Sequence, residues 1–118
     1  MTPEAKVKKK VVEHLKTLGA YYFSPVTGGY GKSGVPDIIG CYKGRFFGIE
    51  CKAGKNKPTR LQEKNLTAIK ANGGISIVIN EHNLDDVLTY VGDSQFVLDF
   101  ESCIALNQGE RLWPSKKM

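Results

Sequence analysis

Apolar residues at Val7, Val11, Leu15 and Leu18 recur three or four positions apart, the spacing of one helix face, with polar residues at most positions between them. Thr2-Pro3 supplies an N-cap and a proline at the first helical position, and Gly19 supplies a stop, so a first helix is expected between them. At ~100° per residue, Glu4 projects within the apolar stripe while Glu13 faces the opposite side. Beyond Gly19 the period shortens. Ala20 to Pro25 (AYYFSP) reads as a strand and leads into the glycine-rich loop VTGGYGKSG. Asp37 to Tyr42 and Arg45 to Lys52 are two more strands, separated only by Lys43-Gly44, which is a hairpin signal. Thr59-Arg60-Leu61-Gln62 fits a capping box opening a second helix that ends at Ala71. Ile75 to Ile79 reads as a short buried strand, and Asn83 is placed to cap a third helix through Leu84, Val87, Leu88 and Val91. From Asp93 onward, FVLDF and RLWPSKKM leave open an added strand, a packed helix or a partner-binding extension. Repeats and low-complexity blocks are absent.

The hairpin register brings chemistry together. If Tyr42 pairs with Arg45, counting back along both arms sets Asp37 opposite Glu50, and strand alternation places Lys52 on the same face as Glu50. Directly opposed side chains stand roughly 4.5 to 5.5 Å apart at Cβ. Two carboxylates at that distance repel, so either one takes up a proton or a cation sits between them. Magnesium or manganese, which favour oxygen ligands and leave positions for water and substrate, suit such a pair. A hard divalent ion beside a lysine is useful in phosphodiester cleavage, where Lys52 would hold the attacking water or offset charge on phosphate.

Composition sets the setting for this constellation. A chain of 118 residues with 41% hydrophobic content is the size of one domain with one core. Residues 1 to 70 hold 14 Lys/Arg and 5 Asp/Glu, whereas residues 71 to 118 hold 3 and 7, so the basic half is the half with the carboxylate pair. Such a patch suits a polyanion as partner, and basicity alone suits a solvated lysine face equally well, a reading open for Lys8, Lys9 and Lys10. Lys55, Lys57 and Arg60 flank the site as candidate phosphate contacts, and in the glycine-rich loop Lys32 and Tyr30 are candidates for a phosphate and for a base or sugar. No apolar run approaches a membrane span and no apolar signal segment follows the early lysines, so a soluble, cytoplasmic protein is expected. Cys41, Cys51 and Cys103 are odd in number and show no CxxC pairing, which points to reduced, mostly buried thiols rather than disulfides or structural zinc. His14 and His82 read as surface residues.

The string GVPDIIG, then GIECK, then PTRLQ resembles the VRR-NUC branch of the PD-(D/E)xK nucleases, in its stand-alone phage-type form, over roughly the first ninety residues. The resemblance implies an α/β domain of restriction-endonuclease-like fold, with a mixed central β-sheet flanked by helices. Residues 1–92 would form the nuclease domain, and residues 93–118 a C-terminal extension packed on it or at a dimer interface. It also assigns roles. Asp37 matches the aspartate of PD, Glu50 and Lys52 the acid and lysine of ExK, Gln62 the glutamine opening the next helix, and Glu4 an acid near the start of the first helix that joins the metal site. Cys51 stands at the x of ExK, where a small aliphatic is usual, with its backbone carbonyl available to the metal. The implied activity is Mg2+- or Mn2+-dependent endonucleolytic hydrolysis of DNA. Because stand-alone members resemble Holliday-junction resolvases, four-way or branched DNA and a homodimer are expected. The alternatives are a nicking or restriction-like nuclease on linear or flap DNA, and a catalytically inactive DNA-binding module.

Overall fold

The computed structural model describes residues 1–26 and 33–92. The segment carrying Tyr30 and Lys32 and the tail from Asp93, with the expectations attached to both, lie outside the described residues. Helix α1 (Pro3–Leu18) starts at its cap, where Thr2 Oγ1 accepts from the Ala5 amide at 3.1 Å, and stops at Gly19, whose amide donates to the Leu15 and Lys16 carbonyls. There follow β1 (Tyr21–Phe23), β2 (Ile38–Tyr42), β3 (Arg45–Cys51), α2 (Arg60–Ala71) and β4 (Ile75–Ile79), then a π-helical turn, Val87–Val91.

The four strands lie in chain order in one mixed sheet: β2 is antiparallel to both its neighbours, β1 and β3, and β3 and β4 run parallel. Antiparallel neighbours need only tight turns, whereas the parallel pair needs a crossover, which α2 provides. Between β2 and β3, Lys43 at φ 52° and Gly44 at φ 84° both adopt left-handed backbone, the signature of a two-residue turn whose twist matches its strands. The observed register runs from Tyr42 opposite Arg45 to Ile38 opposite Ile49, as the hairpin count required.

Alternation along β3 divides the protein into two layers. Phe47, Ile49 and Cys51 face α1 and join Val7, Val11, Leu15, Ile38, Ile75, Ile79, Val87 and Val91 in the core. Each fully buried Leu or Phe there contributes about 1.5–3 kcal/mol. Gly48 and Glu50 face the other way, toward α2. At Gly48 the helix comes so close that a Cβ would lie 2.7 Å from Ile69. On the same face Ser76 Oγ donates to the Leu66 carbonyl at 2.7 Å, stitching β4 to α2. Helices on both faces of a mixed sheet are the restriction-endonuclease-like arrangement.

Some expectations need correcting. Asn83 does not cap a helix: its Oδ1 accepts from the Asn80 amide at 2.7 Å and its Nδ2 donates to Val78 O and Asp86 Oδ2, so the side chain is spent binding the end of β4. The third helix shrinks to the π-helical turn, which buries Val87 and Val91 against α1. Cys41 is exposed because α2 does not reach over β2, and its cross-strand neighbours Tyr21 and Phe46 are exposed too. His14 is half-buried, with Nε2 3.7 Å from Asp85 Oδ1. Among the described residues no helix is long and apolar enough to cross a membrane.

Candidate active site

Three features of the fold converge on the start of β2 and the end of β3. Asn65, buried on α2, donates to the carbonyls of Leu61 (2.9 Å) and Ser33 (3.3 Å), which ties the helix to the segment entering Asp37. Pro36, also buried, precedes that residue. Asp37 then turns its carboxylate across the hairpin, where Oδ2 accepts from the Cys51 amide at 2.9 Å. The register extrapolates one step past Ile38–Ile49 to set Asp37 opposite Glu50.

Glu50 is 1% exposed. Its Oε2 lies 3.6 Å from Lys52 Nζ, whose side chain is itself only 12% exposed, while its Oε1 is buried without a hydrogen-bond partner among the described residues. Burial above all, then the neighbouring Asp37 charge, pushes the Glu50 carboxyl up to about 7; Lys52 opposes the shift and Glu4 adds to it. One ammonium therefore does not compensate the two carboxylates. A buried carboxylate with an orphaned oxygen beside a second carboxylate is an environment that a hard divalent cation completes.

Elsewhere around the pair the donor set is sparse. Cys51 has its thiol in the core, pushed up to about 12 first by burial and then by the charges of Asp37 and Glu50, so the thiol is inert and only its main chain addresses the carboxylate side. Glu4, half-buried in the first turn of α1, acts on Glu50 through its charge alone. Among the described residues no three His, Cys, Asp or Glu side chains gather as a metal cage. Water and substrate oxygens would have to complete any coordination sphere, as is usual for magnesium. Gln62 completes the capping box, its Oε1 accepting from the Thr59 amide at 2.8 Å while its own amide donates to Thr59 Oγ1 at 3.2 Å. Lys55, Lys57 and Arg60 are exposed along the segment that leaves the site.

Two residues with a bearing on the site escaped the sequence reading. Asn65 carried a signal, as a polar residue in the buried stripe beside Leu66. Glu81 carried none short of the β3–β4 register: its carboxylate accepts from the Gly54 amide at 3.0 Å through both oxygens, 27 residues away. Its proximity follows only once parallel pairing is known.

No protein-family model matches the chain. A curated protein described as "Putative nuclease p44", from Acyrthosiphon pisum secondary endosymbiont phage 1, is 29% identical over 89 residues, 75% of this chain and 94% of that protein. A solved structure described as a VRR_NUC domain superposes with a TM-score of 0.61 at 22% identity, over 75% of this chain and 96% of that one. Both bear out the resemblance drawn from GVPDIIG, GIECK and PTRLQ.

Proposed function

We propose that this chain, whose fold is that of the VRR-NUC domain, is a metal-dependent DNA endonuclease that hydrolyses phosphodiester bonds by activated water. The observation that carries the reading is the buried Glu50, one oxygen without a hydrogen-bond partner among the described residues, set against Asp37 and beside Lys52. The nuclease description of the phage relative agrees with it.

Asp37 and Glu50 would hold magnesium or manganese, with the Cys51 carbonyl as a main-chain ligand and Glu4 in the wider shell. When bound, the ion polarises a phosphoryl oxygen and lowers the pKa of water. The chain's own groups do the rest. Asp37 is oriented by the Cys51 amide, so its second oxygen has a defined direction. Lys52, held by Glu50 and largely shielded from solvent, keeps its ammonium in place to donate to the attacking water or to balance charge gathering on phosphate. Gln62 orders the N-terminus of α2 through its carbonyl oxygen and would offer its amide nitrogen, a donor, to substrate or water. Lys55, Lys57 and Arg60 supply phosphate contacts, with Lys32 and Tyr30 as further candidates.

The substrate in this reading is branched or four-way DNA cut by a homodimer, since symmetric incision of two strands needs two copies of one site. The deciding experiment incubates purified protein with labelled four-way, flap, nicked and linear DNA, with magnesium, with manganese and with chelator. Cleavage only with a divalent ion, strongest on four-way DNA and by a species that light scattering sizes as a dimer, is expected. Preference for linear or flap DNA removes the junction assignment, and no turnover on any substrate leaves a binding module. A monomer at working concentration removes symmetric cutting.

A further inference from the structure

Past Lys52 the chain makes a tight turn. Asn56 N donates to Ala53 O at 3.1 Å, and Gly54, the first central residue, sits at φ 61°, a left-handed conformation that favours glycine. Lys55, exposed at the tip, and Lys57 just beyond it are therefore aimed by how this turn is held. On one side Lys52 N donates to Ile79 O at 2.9 Å, carrying the parallel ladder one residue past β3. On the other, the Gly54 amide donates to both oxygens of Glu81, at 3.0 Å each. Among the described residues these contacts are what attach the turn to the end of β4.

An acid at this place is otherwise unexpected. Glu81 also lines, with Pro3, Lys6, Val7, Lys10 and Leu84, a cleft of about 380 Å³, so it lies between the lysines of α1 and those of the turn. Its other ionic neighbour is His82, Nε2 to Oε2 3.6 Å. On a surface that is to receive phosphate, a carboxylate repels the ligand unless it serves the lysines' placement.

We propose that Glu81 is a positioning residue for nucleic-acid binding, clamping the Gly54 amide so that Lys55 and Lys57 point along the path of the phosphate backbone beside Lys52. This rests on the nuclease reading above for its substrate. Removing a negative charge from a DNA-facing surface should by itself strengthen binding, whereas releasing the clamp should weaken it. The sign of the effect therefore separates the two roles.

The experiment compares wild type, Glu81→Ala, Glu81→Gln, Lys55→Ala/Lys57→Ala and the triple variant, with melting temperatures confirming the fold. Affinity for a labelled four-way junction is measured by anisotropy in chelator across a salt series, and cleavage kinetics in magnesium. Glu81→Ala is expected to raise Kd and KM roughly five- to tenfold with kcat within about twofold, and to flatten the slope of log K against log salt by about one, near the ~0.9 lost per released phosphate contact. Glu81→Gln, whose amide oxygen still accepts from Gly54, should recover most of the loss, and Glu81→Ala should add nothing once both lysines are gone. Equal or tighter binding by Glu81→Ala with an unchanged slope, or a full further loss in the triple variant, overturns the clamp. If wild type binds but never cuts, the nuclease reading fails while the binding series still decides the clamp.

Discussion

Glu50 makes a stability prediction that needs no DNA. Its carboxyl titrates near 4.5 when the chain is unfolded and is pushed up to about 7 in the folded protein by burial and by Asp37. Between those values the native state binds more protons than the unfolded state, so stability is full below the unfolded value and falls as pH rises toward the folded one, levelling off above it. At 1.36 kcal/mol per pKa unit, the loss attributable to this one group between pH 5 and pH 8 is about 2–3 kcal/mol. Glu50→Gln keeps the shape and removes the titration. In chelator, the stability gap between wild type and variant should therefore move in the variant's favour by that amount over that range, roughly 10 °C in melting temperature for a domain of this size. Using the gap cancels the groups that titrate alike in both proteins. Melts recorded at half-unit pH intervals read it directly, and adding magnesium at pH 8 should stabilise wild type and not Glu50→Gln. A gap constant within about 0.5 kcal/mol across the series would show that Glu50 is hydrated or otherwise compensated, and would undo the argument that this site calls for a cation.

Lys52→Ala should abolish cleavage while leaving DNA affinity within about threefold, since the phosphate contacts lie on the following segment; cleavage retained by a contaminant-free preparation would remove Lys52 from the chemistry. Thr59→Ala should cost about 1 kcal/mol in chemical denaturation, because it strips the acceptor from the Gln62 backbone amide at the helix start while leaving the Thr59 amide to Gln62 Oε1 bond in place. With maleimide at pH 8 the native protein should modify Cys41 readily and Cys51 only on unfolding, as mass spectrometry of the peptides would show; fast native labelling of Cys51 would contradict its place in the core.

Legibility from sequence followed the range of the interactions. The α1 and α2 boundaries were readable because Thr2, Gly19 and Thr59 act on amides and carbonyls within five residues. The Asp37–Glu50 alignment was readable because a two-residue turn leaves one register, and Lys43-Gly44 is such a turn. Parallel pairing of β3 with β4 spans a whole helix and leaves no local mark, so Glu81 went unnoticed although it touches the segment next to Lys52. The end of β4 is hidden from the sequence for a related reason: asparagine suits both caps and turns, and the choice at Asn83 depends on whether Val78 O and Asn80 N lie within reach of its side chain.

Cys51 takes part in both layers at once, lending its amide to Asp37 and its side chain to the packing beneath α1. At this end of the strand chemistry stands at positions 50 and 52 and volume at 49 and 51, with the backbone shared between them. A lineage is free to repack its interior at position 51 without disturbing the charged shelf above, provided the amide stays where it is. Proline would silence that donor, and an ionised side chain would be buried without a partner, so both are barred there.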